Sequence, residues 1–259
     1  MRGTGISEGH VKGVQLFLHS VKQVFGNLGA AIRISGLLFL VQLIATLLVS
    51  RHAMGAMEGA VAGGTLNVIF LSLLTLVSSL WIAVAWHRFV LRVEQPGAFL
   101  PAFHGGRMLA YLGYSILIGV ALAVVVVVMA FLVSRLAPVN GVVMPILASL
   151  VVFVPAVLLA LRLSPLLPAA ALGDRLGIGD AWGATNGATG DLLVLAILAV
   201  LGSVLIDLPV VSLMGVMPLA MTWTFITAWI KTMVGASILT TIYGPVSYTH
   251  LTLPTSDLV

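Results

Sequence analysis

The chain has 259 residues, of which 60% are apolar and only 8% charged, where a soluble globular domain carries about a quarter charged residues. With a mean hydropathy of +1.18 it cannot cover a water-facing surface, so lipid is the main solvent of its folded state. The formal charge of +4 comes from twelve Lys and Arg scattered at helix ends instead of gathered on one basic face, which argues against a nucleic-acid partner, and the absence of cysteine excludes disulfides, thiolate metal sites and thiol catalysis.

Residues 1–27 open the chain as an amphipathic interfacial segment. Val11, Val14, Phe17, Leu18, Val21, Val24 and Phe25 recur at helical spacing with Lys12, Gln15, His19, Lys22 and Gln23 between them, the pattern of a helix lying on the membrane surface. A charged start, apolar core and small-residue cleavage site do not occur here, so the first helix is expected to be retained.

Residues 28–244 read as an all-α, polytopic membrane helical bundle of six spans. Each span needs about 20 mostly apolar residues to cross about 30 Å of hydrocarbon. The first runs from Leu28 to Ser50, with Arg33 near its start. The second covers Thr65 to Trp86, after a short loop marked by Arg51 and Glu58. The third is Met108 to Ser134, and the turn PVNG from Pro138 leads to the fourth, Val142 to Leu161, which Pro145 and Pro155 are expected to kink. From Leu192 to Tyr243 there is room for two more, with Gly215 and Pro218 at the turn between them.

Surface segments punctuate the spans. The stretch AFLPAFHGGR precedes the third span, and GDAWGATNGATGD, where Asp180 caps a short helix, precedes the fifth. The pattern is one of three units, each a surface segment, an outward span and an inward span, or equally of ordinary loops that happen to be helical. Past residue 244 the run PVSYTHLTLPTSDLV lacks helix-end logic and is similar to translated sequencing adapter, so residues 245–259 are expected to be a non-native tail.

The cations set the orientation. Arg2, Lys12, Lys22, Arg33, Arg88, Arg92, Arg107, Arg162 and Arg175 fall on one side and only Arg51 and Arg135 on the other. The excess of Lys and Arg on the cytoplasmic side of membrane proteins places both termini in the cytoplasm. Trp86, Tyr111, Tyr114 and Tyr243 fall at the same ends, where an aromatic belt is expected.

Chemistry-bearing patterns are few. His10, His19, His52, His87 and His104 form no pair at metal-ligand spacing on one helix, and no phosphate-cradling glycine loop followed by Lys occurs. An enzyme would need several of Asp174, Asp180, Asp191 and His87 to meet in one cleft; neither catalysis nor a cofactor is expected. In WHRFVL, from Trp86 to Leu91, His87 and Arg88 follow a membrane-edge Trp and are placed to hold a lipid phosphate, or form an ordinary anchor of aromatic ring and snorkelling cation.

With Arg92, Arg107, Arg162 and Arg175, Arg88 makes a basic rim suited to anionic lipid. Asp207 and Lys231 are ionisable groups inside the spans and therefore candidates for lipid or substrate contact. Thr224, Thr227, Lys231 and Gly235 share one helix face, so Lys231 is expected to face the bundle interior. A depth difference of about 10 Å from Asp207 would require helix tilt or a bridging water for the two to pair.

The segments AVAWHRFVL, RLSPLLPAAALGDRLGIGDAWGATNGATGDLL and SILTTIYG resemble those of uncharacterised bacterial six-helix membrane proteins, similar in layout to the membrane domain of some glycerophosphodiester phosphodiesterases. The resemblance covers nearly the whole chain to Gly244. It implies a six-helix fold in a bacterial cytoplasmic membrane and no assigned site residues. Two roles follow as expectations: binding or moving a lipid or other amphiphile, with membrane lipids as partners, or an accessory subunit positioning a partner protein.

Overall fold

The computed structural model describes residues 8–57, 64–97, 99–136 and 143–251. Among them every regular element is a helix: α1 (Glu8–Gly26), α2 (Leu28–Met57), α3 (Gly64–Arg92), α4 (Gly105–Leu136), α5 (Val143–Leu163), α6 (Leu166–Leu172), α7 (Ile178–Asn186), α8 (Thr189–Leu213) and α9 (Met217–Leu251). Six stretches are long and apolar enough to cross a membrane: Leu28–Arg51, Leu66–Arg92, Gly105–Arg135, Pro145–Leu172, Thr189–Leu213 and Met217–Gly244. Glu58, the PVNG turn and residues 252–259 lie outside the described residues, and α9 continues to Leu251, so no helix end marks the boundary drawn at 244.

Helices that follow each other pair as hairpins: α2 with α3, α4 with α5, and α8 with α9. The α8–α9 turn falls at residues 214–216, where Gly215 predicts it. Pro145 sits in the first turn of α5, where a missing N–H interrupts nothing, and is no kink site; Pro155 lies inside the helix. Pro209 lies inside α8 and removes the donor for the Leu205 carbonyl. Next to that gap, the Ile206 carbonyl accepts the indole N–H of Trp223 from α9 at 2.8 Å.

The fourth span is broken near its end. After α5 the chain turns at Ser164 and Pro165 and resumes as α6, a single short helix whose Leu166, Ala169 and Ala171 are at most 1% exposed. It plugs the space between α3, α4 and α9. Gly173 stops it at φ 87°, its N–H on the Ala169 carbonyl at 2.8 Å, with the Asp174 N–H on the same carbonyl at 2.9 Å. A side chain at this left-handed position would be strained, and its Cβ would also overlap the Arg107 guanidinium.

The amphipathic N-terminal helix is integrated into the bundle, not a separate layer on it: α1 packs along both α8 and α9. Gly13 makes the approach possible, because a Cβ there would stand 2.6 Å from the Asp191 carbonyl oxygen and 2.8 Å from the Val194 Cβ. Ser20 donates to the Thr241 hydroxyl at 3.2 Å, and Ser237 donates to Gln23. The apolar arc of α1 is thereby divided. Phe17 and Val24 turn inward, whereas Val14, Leu18 and Phe25 stay exposed beside Lys12, Gln15, His19 and Lys22.

Val24 joins Ala31, Ile34, Ile82, Trp86 and Met233 in a cluster where α1, α2, α3 and α9 meet. Hydrocarbon is as apolar as these side chains, so close packing and interhelical hydrogen bonds hold the cluster together more than water exclusion does. Of the three expected surface segments, α1 and α7 are helical, whereas in the one before the third span the described residues 99–104 contain no helix and Gly105 already begins α4.

Candidate functional site at the arginine-rich end

The arginines gather at one end of the bundle, where α3 and α9 end, α4 begins, and α6 leads into α7. At this end α3 finishes with Val93 at φ 54°, a costly conformation for a β-branched residue. The reversal brings Glu94 back against Arg88, whose Nε donates to Glu94 Oε2 at 2.7 Å and whose Nη1 reaches the Ala171 carbonyl at 3.4 Å. His104 Nε2 stands 3.5 Å from the other Glu94 oxygen, and His104 Nδ1 donates to the Ala102 carbonyl at 3.2 Å. Arg92 lies 3.7 Å from Asp174, which also accepts the Tyr243 hydroxyl at 2.7 Å. Arg88 and Arg92 thus have carboxylate partners within the chain.

Arg107 and Arg175 do not. Among the described residues neither side chain has an ion pair or hydrogen bond, and both line a cleft of about 420 Å³ with Tyr114, Gly173, Asp174 and Asp180. The missing Cβ at Gly173 leaves room for the Arg107 guanidinium. Of the two carboxylates in the cleft, Asp174 is held by Tyr243, and Asp180 caps α7 by accepting the Gly177 N–H at 3.0 Å. Two unpaired guanidinium groups beside two occupied carboxylates make the cleft suited to an anion with several oxygen acceptors.

Two residues expected on the rim are inside the protein. His87 and Trp86 are 0% exposed, so neither forms a membrane-edge anchor or contacts a headgroup. Thr240 donates its single hydroxyl proton to the Ala236 carbonyl at 2.7 Å, so its oxygen accepts from His87 Nδ1 at 2.8 Å. This fixes the Nδ1–H tautomer and leaves Nε2 to accept the Tyr111 hydroxyl at 3.3 Å. The ring is neutral and fully engaged. Tyr111 and Tyr243 are likewise buried, where an aromatic belt was expected.

Arg162 is also buried, at 8% exposure, and joins α5 to α7 and α8. Its guanidinium donates to Asn186 at 3.3 Å and to Thr189, and lies 5.0 Å over the Trp182 ring, while its carbonyl accepts from Thr185 at 3.3 Å. It is a clamp with neutral acceptors, not part of an exposed rim. His87 and Asp191 do not share the cleft of Asp174 and Asp180, since Asp191 lies under Gly13 of α1. Among the described residues no three His, Asp or Glu side chains converge as metal ligands.

Away from this end, Lys231 and Asp207 meet directly. Nζ donates to Oδ1 at 2.8 Å and to Oδ2 at 2.7 Å, with side-chain exposures of 36% and 46%. No bridging water separates them. Helical side chains lean toward the N-terminus of their own helix, and α8 and α9 run in opposite directions from their shared turn, so the two side chains lean toward each other. Lys231 faces the wall of the bundle more than its interior. Sequence reading gave Tyr114 only a place in the aromatic belt and assigned no role to Gly173, Thr240 or Glu94. Comparisons with family models, with curated proteins and with solved structures return no match for this chain.

Proposed function

We propose that this membrane protein binds the headgroup of an anionic amphiphile, such as a phosphate-bearing lipid, in the cleft of Arg107 and Arg175. The observation that carries the reading is that these two arginines have no partner within the described chain, whereas Arg88 and Arg92 each have a carboxylate partner and Arg162 is buried. In this reading the cleft lies on the cytoplasmic side of a bacterial inner membrane, with both termini in the cytoplasm, an orientation that the bias of Lys and Arg supports. That leaflet's anionic lipids attract basic groups by about 1 kcal/mol each before screening.

The reading is tested with purified protein in nanodiscs of phosphatidylglycerol or phosphatidylcholine, by native mass spectrometry of retained lipid. Arg107→Gln with Arg175→Gln is expected to reduce phosphatidylglycerol retention about tenfold or more, from about 2 kcal/mol of lost attraction. Arg88→Gln, which removes a paired charge, is expected to have a smaller effect. Equal retention by all three proteins would leave the arginines as an orientation signal and favour the accessory-subunit role. Orientation is checked separately: single cysteines at Ala56 and Asn140 are expected to react with an impermeant thiol reagent in intact cells, and one at Gln95 is not.

A further inference from the structure

Between α1, α8 and α9 the bundle wall opens into a groove of about 280 Å³. Phe17, Val21 and Phe25 of α1 form one side, Gly202 and Ser203 of α8 the floor, and Lys231 of α9 stands in it. The groove is apolar apart from two polar groups. Lys231 carries three N–H donors, and the two bonds to Asp207 leave one spare. Ser203 has no hydrogen bond among the described residues, although a helical serine commonly bonds the carbonyl four residues before it. Asp207 faces a second recess of about 320 Å³ on the other flank of α8, where Ser203 is again a wall residue.

Lys231 stands near the middle of its span, roughly 20 Å along the helix from Met217. A phosphate head is expensive to bring to that depth, and the ion pair carries no net charge with which to compensate it. A carboxylic acid enters as the neutral acid. Its carbonyl oxygen accepts the spare Lys231 N–H, its hydroxyl donates to the Ser203 oxygen, and its chain lies along Phe17, Val21 and Phe25 of α1. We propose that the groove between α1, α8 and α9 binds a single-chain carboxylic acid amphiphile, a long-chain fatty acid, with its carboxyl group at Lys231 and Ser203.

The site is independent of the arginine cleft, and its test separates the two. Purified protein is irradiated with a hexadecanoic acid bearing a mid-chain diazirine, and the adducts are mapped by mass spectrometry. Labelling is expected on α1 between Phe17 and Phe25 and near Ile238 of α9. Unlabelled hexadecanoic acid is expected to compete about tenfold better than its methyl ester, because the ester lacks the donor.

Gly235→Leu fills the groove, since a Cβ at Gly235 meets nothing within 4 Å, and is expected to abolish the labelling. Gly235→Ala, a smaller addition to the same space, gives a partial loss and serves if the leucine prevents folding. Ser203→Ala is expected to narrow the preference for acid over ester, and Arg107→Gln with Arg175→Gln to leave the labelling unchanged. Equal competition by acid and ester, labelling that survives both Gly235 variants, or adducts confined to other helices would overturn the proposal.

Discussion

The His87 network and the Lys231–Asp207 pair are both polar groups within the spans, and they solve the same problem in opposite ways. His87 is enclosed by α3, α4 and α9, and each ring nitrogen has one partner whose donor or acceptor role is fixed. The ion pair satisfies its own charges but leaves both side chains about two-fifths exposed on the bundle wall. A closed network of neutral groups fixes how helices pack and has no capacity left for a ligand. An open pair retains a spare donor, and in hydrocarbon that donor must find a partner that is not water.

The largest expected effect tests the pair. Lys231→Leu leaves Asp207 alone and is expected to destabilise the protein by up to about 3 kcal/mol, approaching the cost of a lone aspartate at a helix centre, since Asp207 lies nearer the end of α8. The double variant with Asp207→Leu is expected to lose less than the single one, and thermal unfolding in detergent compares them. Purely additive losses would mean that the two charges do not depend on each other. Next comes His87→Leu, expected to cost about 1–3 kcal/mol because the buried Tyr111 hydroxyl loses its acceptor. Thr240 keeps its bond to Ala236, so Thr240→Val added to His87→Leu is expected to add little; a large further loss would show that Thr240 has another role. The smallest is Tyr111→Phe, about 1 kcal/mol, since only Nε2 of His87 is left without a donor. If that variant destabilises as much as His87→Leu, the network is not closed in the way described.

The spans were legible because nothing else explains uninterrupted apolar stretches with Arg51, Arg92 and Arg135 at their ends, and Gly215 marked the last turn. The turn before α6 carried a signal in Pro165, and Gly173 marked the end of α6, but both lie beyond Leu161, where the reading ended the fourth span. The site was less legible, because partners such as His87 and Thr240 lie 153 residues apart and belong to no spacing rule. The rim was read as one class of residue when it is three: Arg88 and Arg92 with carboxylate partners, buried Arg162, and unpaired Arg107 and Arg175. Counting residues along α8 and α9 gave the depths of Lys231 and Asp207 but not the opposite lean of their side chains, and that lean closes the gap.

Gly13, Phe17 and Ser20 rest on α8 and α9, so the first helix is held by the last two. At about 5–20 residues per second, a ribosome makes α9 on the order of ten seconds or more after α1. For that interval the docking face of α1 has nothing to dock on. Its amphipathic pattern, with Val14, Leu18 and Phe25 on one side and Lys12, His19 and Lys22 on another, suits the bilayer surface as a waiting position. The surface helix read from the sequence then describes α1 during biogenesis, and its packed form comes into being only when the chain closes on its own beginning.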